Sequence, residues 1–192
     1  MKVLWTLLLL CGIAHAETLS GYVIGISDGD TVTVLDAKNQ QHKIRLAGID
    51  APEKAQAFGD RSKQNLAEQV FNRNVTVEWN KQDRYGRSVG KILVNGKDAN
   101  LEQIKAGMAW WYEKYRKEQS PADQENYRAA EQQARMQSIG LWRDANPVPP
   151  WDWRHGGSNL QKQDCSCASG ATCVGPKGGI YCVTAVGGKK YR

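Results

Sequence analysis

Leu19-Ser20-Gly21-Tyr22-Val23-Ile24-Gly25-Ile26, then Ser27-Asp28-Gly29-Asp30, then Thr31-Val32-Thr33-Val34-Leu35, is the stretch on which the fold turns. Both flanks alternate and are rich in β-branched and aromatic residues, and Asp-Gly-Asp between them is turn chemistry. The stretch therefore predicts two neighbouring strands around a tight turn. Tyr22, Ile24 and Ile26 are expected to share a face. Gln41 to Leu46 reads as a third strand, and alternating Val75, Val77 and Trp79 mark a fourth. Ser88 to Val94 makes a fifth, entered through the turn Asp83-Arg84-Tyr85-Gly86 and closed by Asn95-Gly96.

Helical spacing takes over elsewhere. Ala55 to Phe71 predicts a helix whose apolar face is Leu66, Ala67, Val70 and Phe71. Leu101, Ile104, Lys105 and Met108 predict another, stopping near Gly107. Ser120-Pro121-Ala122-Asp123 is a helix start, with serine at the cap, proline at the first position and an acid in the first turn. That helix is expected to run to about Gln137, with Gly140 as its stop. The sum is an α+β fold: a five-stranded barrel of the oligonucleotide-binding type with about three helices, followed by a small cysteine-rich extension.

The ends of the chain differ from this domain. Met1-Lys2, the apolar run Val3 to Ile13 and the small-x-small Ala14-His15-Ala16 predict a cleaved signal peptide over residues 1–16. The run is shorter than the roughly 20 residues of a membrane span. Leu10 ahead of Cys11 argues against lipid attachment there. No later stretch is apolar enough to span, so export to the periplasm or beyond is expected, as a monomer. The main domain is placed at 17–145. Asn146-Pro147-Val148-Pro149-Pro150 is a stiff connector, Trp151-Asp152-Trp153-Arg154-His155 is expected to pack back, and Gly156-Gly157-Ser158-Asn159 is a flexible link. Residues 146–160 thus form a linker and 161–192 a module.

Of the formal charge of +6, removal of Lys2 leaves +5. Lys162, Lys177, Lys189, Lys190 and Arg192 stand against Asp164 alone, so most of the basic character lies in the tail and suits a polyanion. Cys165, Cys167, Cys173 and Cys182 all fall in this tail. Behind an export signal they read as two disulfides in any of three pairings. A four-cysteine zinc site is the rival, but the paired C-x2-C knuckles of zinc ribbons are missing.

The chemistry sits in Arg45-Leu46-Ala47-Gly48-Ile49-Asp50-Ala51-Pro52-Glu53. A strand ends in a cation, and two carboxylates flank a proline. Ala51 is biased to extended backbone by Pro52, which makes a rigid corner for Asp50 and Glu53. Asp28 and Asp30 add two acids upstream, and Asp83-Arg84-Tyr85-Gly86-Arg87 adds a second arginine downstream. Guanidinium forks and a metal ion stabilise charge on phosphodiester oxygens, while a carboxylate takes a proton from water. Past residue 16 the histidines are His42 and His155, so an all-oxygen site favours Ca²⁺ or Mg²⁺ over zinc. Each motif alone is commonly a plain turn. The three in this order, at the strand ends of one barrel, are specific.

Together these motifs closely resemble the thermonuclease, or staphylococcal nuclease, family over about residues 18–145. The resemblance implies Ca²⁺-dependent hydrolysis of DNA and RNA to products with 3′-phosphates. It implies that Asp30 and Asp50 bind calcium through carboxylates and Ala51, in place of the usual Thr, through its carbonyl. Asp28 would act through water, Arg45 and Arg87 on the scissile phosphate, and Glu53 as general base. Arg84, Tyr85 and Tyr115 are candidate substrate contacts. Two departures stand out. Lys54-Ala55-Gln56-Ala57-Phe58 enters the helix where the best-known member carries a long basic loop, and Glu113 replaces an expected aromatic. The tail, Gly175-Pro176-Lys177-Gly178-Gly179-Ile180-Tyr181 then Gly188-Lys189-Lys190-Tyr191, resembles a small basic adaptor with a tight hairpin and a cationic edge. The competing reading is an inactive barrel that holds single-stranded nucleic acid. The complete acid–arginine set and the near-neutral main domain speak against it.

Overall fold

The computed structural model describes residues 17–156, 165–175 and 177–191. The expected signal peptide, the link from Gly157 to Asp164, Pro176 and Arg192 lie outside the described residues. The chain runs β1 (Glu17–Ile26), β2 (Thr31–Asp36), β3 (Gln41–Leu46), β4 (Ile49–Asp50), α1 (Gly59–Val70), β5 (Asn74–Gln82), β6 (Ser88–Val94), β7 (Lys97–Asp98), α2 (Ala99–Lys105), β8 (Trp110–Trp111), α3 (Pro121–Met136) and α4 (Pro150–Arg154). Short 3₁₀ segments at Glu113–Glu118 and Gly140–Arg143 flank α3. In the tail, β9 (Cys173–Val174), β10 (Ile180–Val183) and β11 (Lys189–Tyr191) form a separate small sheet.

Five strands close the barrel as expected. β1 lies between β2 and β5, β2 pairs β3, and β5 pairs β6, all antiparallel. Parallel pairing of β3 with β6, Ile44 beside Ser88 and Leu46 beside Gly90, shuts the ring. The interior is Val23, Val32, Val34, Ile44, Leu46, Val77 and Ile92, sealed by Leu66 and Val70 of α1 and Ile104 of α2. Asn100 secures the seam: its amide donates to Ala47 O and Gly90 O, and its oxygen accepts from Ile92 N.

Three local expectations change. Tyr22 and Ile24 face solvent, and Val23 faces the core. The register shifts between Val23 and Gly25, leaving Ile24 unpaired. This bulge reverses the alternation, so Ile26 packs against the core on the same side as Val23. α1 begins at Gly59, four residues after the predicted start. Gln56 holds the preceding turn by accepting from Glu53 N (3.0 Å) and donating to Val148 O (2.5 Å). Phe58 then adopts φ 64°, and Glu53 O approaches within 2.1 Å of where a Cβ on residue 59 would sit, so only glycine fits. Phe71 lies past the end of the helix in extended backbone and is exposed, while Ser62, Leu66 and Val70 form the buried stripe.

Disulfides Cys165–Cys173 and Cys167–Cys182 staple the tail sheet, which excludes the zinc reading and points to an oxidising compartment. Val174 packs into a cluster with Phe58, Trp110, Leu141 and Trp142, and Gly175 O accepts from Phe58 N (3.3 Å). Among the described residues no helix is long and apolar enough to cross a membrane.

Candidate active site

The Asp28-Gly29-Asp30 turn is anchored from beneath. Gln103 of α2 donates to Gly29 O (2.7 Å) and Ser62 O (3.2 Å). A Cβ on residue 29 would lie 1.9 Å from Ser62 Oγ, so the turn rests directly on α1. Asp28 Oδ1 accepts from Asp30 N, and Asp30 accepts from Thr31 Oγ1 and Ala51 N, each at 3.0 Å. The last bond joins this turn to the Asp50-Ala51-Pro52-Glu53 corner. The short β4–β8 pair, Asp50 beside Trp110, fixes the corner from the other side.

Arg45, next to last in β3, lies in the floor between these acids. Its Nη1 donates to Leu46 O (3.2 Å) and Ile49 O (3.1 Å). Its Nη2 donates to Asp50 Oδ1 (2.9 Å) and lies 3.4 Å from Asp30 Oδ2. Arg87, just before β6, is aimed by Asp83, whose Oδ2 accepts from Nε at 2.7 Å and whose Oδ1 accepts from Arg87 N at 3.0 Å. Arg87 Nη1 reaches Thr31 Oγ1 at 3.4 Å, which brings the second arginine to the acid cluster.

Burial and crowding of like charge set the electrostatics. Asp30 and Asp50 are 7% and 0% exposed. Burial, then the neighbouring Asp30 charge, pushes the Asp28 carboxyl up to about 6. Burial likewise raises Asp50, opposed by the hydrogen bond from Arg154. Arg45 is raised despite its burial, because Asp30 and Asp50 favour its cation. An excess of desolvated carboxylates with oxygen donors only is the environment of a hard divalent cation. Among the described residues no three His, Cys, Asp or Glu side chains converge as a complete ligand set. Were such an ion bound, Asp30 and Asp50 would be its buried side-chain donors, and backbone and water oxygens would have to complete its shell.

These groups line a cleft of about 670 Å³. Arg84, Tyr85 and Tyr115 belong to its wall. Tyr85 is 67% exposed, and its hydroxyl accepts from Arg84 Nη2 (2.7 Å). Tyr115 is 40% exposed and meets Tyr112 edge-on, with centroids 4.9 Å apart. Glu113 instead faces solvent and pairs with Arg116.

Three cleft residues, Tyr112, Trp151 and Arg154, have no site role in the sequence reading. Tyr112 supplies the aromatic surface sought at Glu113, and Trp151 stacks on it with centroids 5.2 Å apart and planes 3° apart. That stack seats α4 and carries Arg154 into the cleft. Arg154 Nη2 donates to Asp50 Oδ2 (2.7 Å), and its Nη1 donates to Asp50 Oδ1 (3.2 Å) and Glu53 Oε1 (2.8 Å). The expected packing-back of the Trp-Asp-Trp-Arg-His segment was the available signal. Nothing in the spacing tied residue 154 to residue 50.

A family model described as staphylococcal nuclease homologue matches residues 43–144. An uncharacterized endonuclease of Haemophilus influenzae is 41% identical over 157 residues, covering 80% of this chain and 85% of that protein. A micrococcal nuclease of Shigella flexneri is 43% identical over 148 residues, covering 72% and 82%. A staphylococcal-like nuclease of Arabidopsis thaliana is 38% identical over 115 residues, covering 60% of this chain and 33% of its own length.

Proposed function

The chain belongs to the staphylococcal nuclease family and is a nuclease, and from that premise we propose that it is a calcium-dependent phosphodiester hydrolase of both DNA and RNA. The observation that carries this reading is the convergence of buried Asp30 and Asp50 with Arg45 on the floor of an open cleft, with Glu53 beside them. Asp30 and Asp50 would hold the ion through their carboxylates, Ala51 would offer its carbonyl, and Asp28 would act through an intervening water. The chemistry such an ion would supply when bound is neutralisation of charge on the phosphate oxygens.

The chain's own groups do the rest. Glu53 orients a water and takes its proton as the water oxygen bonds to phosphorus. Arg45 and Arg87 stabilise the charge that builds on the non-bridging oxygens, each from a position already fixed by other partners, so little reorganisation is needed. The bond from phosphorus to the 5′-oxygen breaks, that oxygen takes a proton from solvent water in the open cleft, and the phosphate stays on the 3′ side. Tyr85 and Tyr115 offer exposed rings for bases or sugars, and Arg84 holds Tyr85 in place. The disulfide-stapled tail and the leader sequence fit a periplasmic or secreted enzyme, the basic tail edge fits a polyanion, and a monomer suffices for all of these roles.

Incubation of the exported chain with plasmid and with RNA, in calcium and then in chelator, tests this. Calcium-dependent cleavage with 3′-phosphate ends is expected, and no cleavage in calcium overturns the reading. Glu53→Gln and Arg87→Ala should each lose at least ~10² in rate, the scale for a catalytic base or a charge-stabilising donor. Near-wild-type rate in either variant would show its role to be misassigned.

A further inference from the structure

Arg154 occupies oxygens that the proposed chemistry requires elsewhere. It takes both oxygens of Asp50 and one oxygen of Glu53. Arg45 already holds Asp50 Oδ1 from the floor. The two arginines differ in setting: the Arg45 side chain is 16% exposed, the Arg154 side chain 39%. Arg45 also has two backbone carbonyls as partners, whereas Arg154 bonds to the carboxylates that would serve the ion and the water. Arg154 ends a five-residue helix whose Trp151 is stacked on a cleft tyrosine, so the helix keeps the guanidinium at the mouth of the cleft while its long side chain can turn.

A divalent cation on Asp50 Oδ2 would sit within a few ångström of the Arg154 guanidinium that bonds the same oxygen, so the two cations compete for it. With the carboxylates committed to the ion, a neighbouring guanidinium meets like charge, and the incoming anion is the phosphodiester. A planar fork suits phosphate as well as it suits carboxylate. We propose that Arg154 is a third phosphate-binding arginine of this site, resting on Asp50 and Glu53 in the cation-free enzyme and re-pairing with the substrate backbone once those carboxylates are engaged. This rests on the calcium reading given above.

The proposal makes two opposite demands on one substitution. Arg154→Ala removes a competitor for Asp50, so Ca²⁺ alone, titrated calorimetrically into the protein without nucleic acid, should bind about 10-fold more tightly, on the scale of charge-assisted hydrogen bonds. The same variant lacks one phosphate partner, so KM for an oligonucleotide at saturating calcium should rise about 10-fold, with a smaller change in kcat. Arg154→Lys keeps the charge without the fork and should fall between wild type and Ala in both readouts, which guards against a merely misfolded Ala variant. If the wild-type protein binds no Ca²⁺, the calcium reading itself falls. If wild type binds and Arg154→Ala binds equally, the competition is disproved while the calcium reading stands. Tighter calcium binding with unchanged KM would overturn the assignment to phosphate.

Discussion

Asp28 shows how far one side chain in this cleft departs from solution behaviour. Its carboxyl is raised to about 6 by burial and then by the Asp30 charge, whereas an unfolded aspartate titrates near ~3.9. Between those values the folded protein holds a proton that the unfolded chain has released. The stability contributed by protonated Asp28 is complete below the unfolded value and is lost as pH rises through about 6. Asp28→Asn keeps the acceptor for Asp30 N without the charge. The metal-free variant should therefore be the more stable protein at neutral pH, by up to about 3 kcal/mol, and should match wild type in acid. Thermal melts in chelator from acid to neutral pH check this, and a constant difference across that range would refute it. Asp50 is raised in the same direction, so the variant-minus-wild-type difference is the quantity to follow. The acids and both predicted arginines were legible because they fall within or beside turns. Arg154 was not, since its partner lies 104 residues away and only the Trp151–Tyr112 stack joins them.

At the level of elements, the site depends on helices that bear none of its proposed catalytic groups. Gln103 of α2 is fully buried; its amide ties Gly29 O to Ser62 O, and its oxygen accepts from Asn65 and Gln69 of α1. Gln103→Leu keeps the volume but leaves those groups unpaired, which should cost about 2–3 kcal/mol in urea unfolding. It should also weaken calcium binding, because the Asp28–Asp30 turn would lose its anchor. Lower stability with unaltered calcium affinity would mean that the turn is held well enough by Asp30's bond to Ala51 N alone. The strands of the barrel were readable because period-two patterns and turn residues coincide: Gln41–Leu46 and Ser88–Val94 occur as expected. What sequence hid was conformational detail. The bulge at Ile24 inverts the inward face of β1, and the Gln56 turn delays α1 until the glycine at 59. Both are set by tertiary partners, Val34 and Thr33 opposite the bulge and Val148 above the turn. The two-residue β4–β8 pair is too short to leave a periodic trace.

Across the whole molecule, the tail adds a second basic surface apart from the cleft. The cleft pairs its acids with arginines and lysines in about equal number, while the exposed edge strand β11 carries Lys189 and Lys190 without acids, with Lys189 lying 4.3 Å from the Tyr181 ring centroid. The tail sheet is seated on Phe58 through Gly175 and Val174, shortly after Glu53 in the chain, beside the segment where the best-known family member carries its basic loop. If the tail holds nucleic acid, a long polyanion would touch it while one of its phosphates lies in the cleft, whereas a short oligonucleotide would reach only the cleft. Removing residues 158–192 would expose the Phe58–Trp110–Trp142 cluster as well as delete charge, so neutralising the lysines is the cleaner perturbation. Lys177, Lys189 and Lys190 changed together to Gln should leave kcat and KM for a short oligonucleotide near wild type. Affinity for long DNA should fall, and the slope of log K against log salt should flatten by up to about 3, at about 0.9 for each phosphate no longer neutralised. An unchanged salt slope would assign the tail a packing role over Phe58 and no part in holding nucleic acid.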